Sequence, residues 1–266
     1  MREAPSKPDS INRVMLALDT SLRGLGALDT ALALAERNRA ELEALFVEDA
    51  DLFSLARLPF ARELDLASGQ VRRLDETLIT RSLRSHQQRV RGILERAARQ
   101  HAVAATVRIV RGHYLRTALE AALGTDVLFL SCGGGMRSPY APRLAGGKPA
   151  TVTAAPAPVR VLFDGSAAAV RALRLGSELA AADHLPLGAV LLANSSEELE
   201  SLQKRVHELL DPNRAVKIQR YGTGDSAAQG LASRGGGVLL LPRQRVELAI
   251  EGIEPSAADF PLVLVS

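Results

Sequence analysis

The chain carries one stretch of sequence twice, and this internal repeat constrains the fold more than any other feature. Residues 14–21 form an apolar run that ends in Asp-x-Ser, and residues 159–166 repeat it. The match continues without a gap, with paired apolar residues at Ala27 and Ala172, Leu28 and Leu173, Leu34 and Leu179, Leu45 and Val190, and Val47 and Leu192. One structural unit has therefore been built twice.

Each unit reads as a buried strand, a turn, an amphipathic helix and a second buried strand. Asp19 and Asp164 then fall where a strand ends and a helix begins. A carboxylate or a hydroxyl at this place, from the Asp or the Ser, caps free backbone N–H groups, and open α/β sheets bind ligands at the same edge. Capping alone and ligand binding are both consistent with these aspartates, and the two alternatives stay open.

The repeat continues through a third strand that ends near Gly112 or Gly222, a helix, and a fourth strand at residues 127–130 or 238–241. Short apolar runs at residues 149–153 and 261–265 provide a fifth strand for each half. Because these strands are apolar on both faces, the pattern predicts two parallel sheets covered by helices.

The predicted domain organisation follows the repeat. A polar tail (1–11) precedes a first domain (12–153), a short Pro-rich linker (154–158) and a second, shorter domain (159–266). The first domain holds a helical insertion at about 49–100 with no counterpart in the second. Within it we predict a short helix at 52–58, stopped by Pro59, a mixed stretch at 64–74, and a long Arg-rich helix at 78–100.

Composition excludes several classes of function. Aromatic residues are 3% of the chain and Trp is absent, which argues against single-stranded nucleic-acid binding by base stacking. The five histidines are scattered, so we expect no metal site, and no Gly-x-Ser-x-Gly elbow indicates a catalytic nucleophile.

The chain has one cysteine, Cys132, which excludes an intramolecular disulfide. A cysteine at this position is more typical of a buried small residue than of a redox sensor. With no signal peptide or apolar run of membrane-spanning length, we expect a cytoplasmic protein.

Positive charge is concentrated in the first half. Nine arginines and one glutamate lie between Arg81 and Arg116. Such a surface attracts an anionic partner, although a solvated Arg-rich helix face gives the same pattern.

Taken together, these residues resemble the universal stress protein family in its tandem form. The resemblance rests on the strand that ends in Asp19-Thr20-Ser21, the Ala/Leu-spaced first helix, the strand at 45–47, Arg111-Gly112, and residues 126–130 before a glycine loop. It implies five-stranded parallel sheets of order 3-2-1-4-5, with the halves packed as a pseudo-dimer and homo-dimers formed in solution. Nucleotide-binding members hold ATP at the carboxyl ends of strands one and four.

Carried over residue by residue, the resemblance implies candidate nucleotide-binding residues in both halves. In the first half these are Asp19, Thr20, Ser21, Val47, Gly112, Ser131, Gly133 and Gly134. The second-half equivalents, Asp164, Gly165 and Ser166, form a degenerate counterpart.

The chain departs from the family at the phosphate loop, which reads Gly-x-x-Gly, nine residues, then Gly-Ser or Gly-Thr. Ser131 replaces the first glycine, and the later pair Gly146-Gly147 lacks the hydroxyl. In the second half Pro242 and Arg245 stand where the loop glycines belong, and proline has no N–H to offer a phosphate.

These departures favour a non-enzymatic regulatory or adaptor protein of the stress response, with a protein partner, no cofactor and no family-type ATP binding. The alternative is an adenine-nucleotide sensor that binds ATP or AMP in the first domain. Slow ATP hydrolysis needs a phosphate site and ranks below both.

Overall fold

The computed structural model describes residues 10–20, 27–64, 69–130, 158–212, 214–221, 237–247 and 262–266. These residues form a nine-stranded sheet, a two-stranded hairpin and six α-helices. None of the helices in this described part of the chain is long and apolar enough to cross a membrane.

The first half contains six strands and four helices among the described residues. In chain order these are β1 (Arg13–Leu18), α1 (Leu28–Asn38), β2 (Glu41–Asp49), α2 (Ala50–Ala56), β3 (Arg62–Leu64), β4 (Val71–Arg73), α3 (Glu76–Gln100), β5 (Ala105–Gly112), α4 (Tyr114–Ala121) and β6 (Val127–Leu130). The second half follows with β7 (Val159–Phe163), α5 (Ala167–Ala182), β8 (Leu187–Leu192), α6 (Ser196–Leu209), β9 (Val216–Tyr221), β10 (Val238–Pro242), a 3₁₀ helix (Arg243–Arg245) and β11 (Leu262–Val265).

The large sheet has the strand order β5-β2-β1-β6-β11-β10-β7-β8-β9. Counted within its own half, the second half has the expected order 3-2-1-4-5, and the first half has 3-2-1-4. All neighbours are parallel except β6 and β11, which pair antiparallel with Leu130 opposite Leu262 and Val127 opposite Val265.

The prediction of two separate five-stranded sheets is therefore wrong. The edge of β6 that a fifth strand of the first half would cover is taken by β11 of the second half. This pairing satisfies main-chain groups that two separate sheets would leave as open edges. The predicted strand at residues 149–153 lies outside the described residues.

The antiparallel pairing of β6 with β11, which we call the seam, also determines where the two candidate sites lie. Parallel strands of one half end at the same edge of the sheet, and β6 and β11 run in opposite directions. The carboxyl ends of the first-half strands and those of the second-half strands therefore lie at opposite edges of the sheet.

The strands are buried on both faces, as their continuous apolar sequence predicts. One face is packed by α1, α3, α5 and α6, and the other face, in the first half, by α4. Helix α5 lies very close to β7, since a Cβ added at Gly176 would be 2.4 Å from Cγ2 of Val161. Only glycine permits this approach.

The insertion contains more structure than its sequence predicted. The long helix α3 begins two residues before its predicted start, where Asp75 accepts a hydrogen bond from the N–H of Thr77, and its buried stripe packs on α1, β2 and β5. The predicted short helix is α2, and Asp49 caps it. Between them the chain forms the β3–β4 hairpin, in a stretch for which no strand was predicted.

Arg243 and Ser266 join the two halves beside the seam. Arg243 donates from Nη1 to the carbonyl of Ala122 (2.8 Å) and from Nη2 to that of Thr125 (3.1 Å). The N–H of Ser266 donates to the carbonyl of Asp126. Burial lowers the pKa of Arg243, and the nearby Asp126 carboxylate acts in the opposite direction.

Candidate functional site

In the second half the candidate site lies at the carboxyl end of β7, where Asp164 begins the turn into α5. The carboxylate accepts hydrogen bonds from the N–H of Ser166 (3.0 Å, to Oδ1) and from Nε of Arg245 (2.7 Å, to Oδ2). Ser166 in turn accepts from the N–H of Ala169 and caps α5. The Asp-x-Ser sequence therefore acts here as a turn and a helix cap, and Arg245 holds the remaining carboxylate oxygen.

The charge of Asp164 is stabilised by protein groups alone. Only 7% of the Asp164 side chain is exposed, against 44% for Arg245. Burial raises the pKa of Asp164, but the hydrogen bonds from Ser166 and Arg245 outweigh it, and the net pKa lies below its ordinary value. Asp164 is thus ionised, and the guanidinium group of Arg245 balances its charge.

Gly165 is held in place by two side chains of α6. Its φ is +80°, a conformation that favours glycine, and a Cβ there would be 2.9 Å from Cδ2 of Leu202 on α6. Its carbonyl accepts from Nη1 of Arg205, also on α6 (2.9 Å). The turn at Asp164 is therefore bounded by one arginine from α6 and by one from the 3₁₀ helix.

The residues aligned with a second-half phosphate loop have other contacts. Pro242 ends β10, and the 3₁₀ helix that follows places Arg243 against the first half and Arg245 on Asp164. Both arginines are committed to protein groups. Of the two, only Arg245 contacts the candidate site at Asp164.

In the first half the structure brings three predicted residues to the carboxyl edge of adjacent strands. Leu18 of β1 pairs with Phe46 of β2, so Asp19 and Val47 each follow this pair by one residue. Gly112 lies at the same edge, one strand further along, and pairs with Asp49. Asp19 and Thr20 are partly buried and Val47 is fully buried.

The N-cap position of α1 as the structure describes it is Ala27, not Asp19. This helix begins at Leu28, and Ala27 at its N-cap position makes no side-chain hydrogen bond. Ser21, Ser131, Cys132, Gly133 and Gly134 lie outside the described residues, so the structure does not place them with Asp19.

Protein atoms closely approach the Gly112 end of β5. A Cβ at Gly112 would be 2.3 Å from Oγ1 of Thr117, and the hydroxyl of Tyr114 donates to the carbonyl of Ala17 (3.1 Å). These contacts fix the start of α4 against β1 and β5.

A partly buried ion pair at the same edge, Glu48 with Arg111, was missed by the sequence analysis. Glu48, whose side chain is 13% exposed, accepts from Nη2 of Arg111 (3.2 Å) and from Nε2 of Gln87 on α3 (2.6 Å). The guanidinium of Arg111 also lies 3.6 Å above the ring of Phe53 on α2. Glu48 and Arg111 are opposite each other in the β2–β5 register, so a correct strand alignment could have revealed the pair. It fastens the insertion to the sheet.

Within the described ranges no three His, Cys, Asp or Glu side chains gather as a metal site. The arrangement has two properties. In the described part of the second-half edge Asp164 is paired with Arg245, and the described part of the first-half edge places an aspartate beside a buried valine.

Comparison with solved structures identifies the fold. A universal stress protein from Archaeoglobus fulgidus DSM 4304 matches over 96% of both chains, with 10% sequence identity and a TM-score of 0.52. A provisionally assigned universal stress protein from Pseudomonas aeruginosa UCBPP-PA14 (10% identity, 97% of this chain and 94% of that one, TM-score 0.45) is more distant. The cytoplasmic domain of a prokaryotic cation chloride cotransporter is also more distant, with 11% sequence identity over 96% of this chain and 95% of that one and a TM-score of 0.43.

No protein-family model matches the chain, and no curated protein matches it in sequence. At 10% identity the Archaeoglobus match shows the fold alone. The chain therefore has a universal stress protein-like α/β fold, and its function has to be argued from its own residues.

Proposed function

We propose that this chain is a tandem universal-stress-type regulatory or adaptor protein, that it is not an enzyme, and that it acts in the cytoplasm by binding a protein partner. The observation that carries the proposal is the Asp164–Arg245 ion pair. In nucleotide-binding members of the family the equivalent aspartate serves the ligand. Here a ligand would have to displace a charged hydrogen bond from a carboxylate that is 7% exposed.

The seam between the halves supports the tandem part of the proposal. The pairing of β11 with β6 and the contacts of Arg243 support the proposal of an intramolecular pseudo-dimer. Homo-dimerisation in solution stays a prediction.

A second candidate function is an adenine-nucleotide sensor in the first half. Asp19 and Val47 lie side by side at the carboxyl ends of β1 and β2, where open α/β sheets bind ligands. An adenosine would gain from the apolar wall at Val47 and from an acceptor at Asp19.

Calorimetric titration of protein freed of bound nucleotide separates the two. The adaptor proposal expects no ATP binding tighter than a Kd of about 1 mM, roughly −4 kcal/mol. ATP bound at least about tenfold more tightly than AMP, a difference of about 1.4 kcal/mol, would show a working phosphate site and favour the sensor. Asp19→Ala and Asp164→Ala variants would then tell which half binds.

A further inference from the structure

The insertion presents an exposed surface on the β3–β4 hairpin. The strand register places Arg62 opposite Arg73 and Leu64 opposite Val71. Because side chains alternate between the two faces of a strand, these four residues share one face, which we call the hairpin face. All four are exposed, with Leu64 at 56% and Val71 at 57%.

Other exposed apolar side chains lie close by in the chain. Seven large hydrophobic residues in the described part of the chain are exposed, and five of them fall between Leu55 and Val71: Leu55, Leu58, Phe60, Leu64 and Val71. Phe60, between α2 and β3, is 75% exposed. A contiguous exposed apolar patch is typical of a binding surface, whereas single exposed hydrophobic residues are ordinary, and on the hairpin face Leu64 and Val71 lie side by side.

Within the part of the chain that the structure describes, the charges on the hairpin face have no ion-pair partner. The hairpin's ion pair, Arg72 with Glu63, lies on the opposite face. Arg62 and Arg73 form no ion pair or hydrogen bond with any residue that the structure describes. Like charges directly opposite each other destabilise a two-stranded sheet that is marginal to begin with. A carboxylate between the two guanidinium groups would remove this repulsion and accept hydrogen bonds from both.

We propose that the hairpin face is the docking site for a protein segment in which acidic and apolar residues alternate. This inference rests on the proposed adaptor function and names the surface and the chemistry of the partner. An acidic side chain lies between Arg62 and Arg73, and an apolar side chain two residues along an extended segment packs on Leu64 and Val71. Two residues of a strand span roughly 6.7 Å, the same spacing as the two pairs on the hairpin.

The charges around the hairpin favour a narrow protein segment over a lipid surface. Close to the hairpin in the chain, Glu76 at the start of α3 lies 3.8 Å from Arg57. A bilayer is wide enough to meet this carboxylate together with the arginines, and an anionic bilayer would repel it. A single extended segment contacts the hairpin face alone.

Fluorescence anisotropy with a short labelled peptide of repeating Glu-Ser-Leu-Ser units tests the proposal on the full chain. We expect saturable binding that weakens as salt rises. The double variant Arg62→Gln/Arg73→Gln should weaken it at least about tenfold, equivalent to about 1.4 kcal/mol. Leu64→Ser/Val71→Ser should weaken it as well. The matched control Arg89→Gln/Arg91→Gln changes the charge equally on the exposed side of α3 and should stay within about twofold of the unaltered chain.

Arg73→Glu separates binding from folding. This variant places an opposite charge across from Arg62, so hydrogen exchange of the β3 and β4 amides should slow while peptide binding is lost. If these residues only stabilised the hairpin, strengthening the pairing of β3 with β4 would not weaken peptide binding.

Four outcomes overturn the proposal. The peptide does not bind the unaltered chain. The peptide binds the Arg62→Gln/Arg73→Gln variant as well as it binds the unaltered chain. Phosphatidylserine vesicles bind through these arginines while the peptide does not, which makes the surface a membrane contact. The chain dimerises through the face, which assigns it to a second copy. None of these outcomes touches the nucleotide titration, so the adaptor proposal is judged separately.

Discussion

The replacement Arg245→Ala tests the central ion pair of the second half. It removes the charged donor to Oδ2 of Asp164 and leaves the N–H of Ser166 on Oδ1. A hydrogen bond to a charged group contributes about 1.5–3 kcal/mol, and solvent screening at a 44% exposed arginine reduces this. We therefore expect the free energy of unfolding to fall by about 1–2 kcal/mol near neutral pH.

The pH dependence of this loss gives a second, independent check. Because the folded pKa of Asp164 lies below its ordinary value of 3.8, the pair stabilises the fold above that value. The contribution is lost as the pH falls through the folded pKa. The difference between the two proteins should therefore be constant from neutral pH down to about pH 5 and shrink below about pH 4.

Urea denaturation at several pH values measures both quantities, with Arg89→Ala on the exposed face of α3 as the control. Arg89→Ala should change the unfolding free energy by less than about 0.5 kcal/mol. The reasoning fails if Arg245→Ala also changes the free energy of unfolding by less than about 0.5 kcal/mol at neutral pH. It fails as well if the loss of stability grows as the pH is lowered.

Three further predictions follow from single contacts. Gly176→Ala should destabilise the fold by about 1–3 kcal/mol in thermal or urea unfolding, because the added Cβ would clash with Val161. Helix propensity alone would instead stabilise the fold by about 1 kcal/mol, and that result would contradict the close approach of α5 to β7. Ser166→Ala should cost about 1 kcal/mol through the lost cap of α5, and Ser166→Asp should restore most of it. Asp19→Ala should leave the circular dichroism spectrum and the cooperative unfolding unchanged, and it should abolish any adenine-nucleotide binding seen by calorimetry; binding that survives would remove Asp19 from the site.

Local structure was largely predictable from the sequence where apolar periodicity is strong. The β1–α1–β2 and β7–α5–β8 units follow from the repeat, because strands buried on both faces read as continuous apolar runs. The Asp-x-Ser ending predicted the cap on α5, and the arginine-rich stretch predicted α3 nearly to its ends.

Long-range pairing was not predictable in the same way. The run LVLV of β11 is equally compatible with either neighbouring strand, so nothing in it indicates antiparallel pairing with β6. Arg245 is 81 residues from Asp164, and only the arrangement of β7 and β10 brings them together. The strands of the β3–β4 hairpin have three residues each, too few to show alternation.

The seam restricts how a ligand or partner can act on this protein. Opening a hinge between the halves would expose the edges of β6 and β11, together with the bonds that Arg243 makes to Ala122 and Thr125. The two strand-end edges also lie at opposite sides of the sheet, so no single cleft closes over both. Regulation by domain closure is therefore disfavoured, and the proposed partner would act at an exposed element such as the insertion. Glu48 and Arg111 fasten α2 and α3 of that element to the sheet, at the edge that holds Asp19.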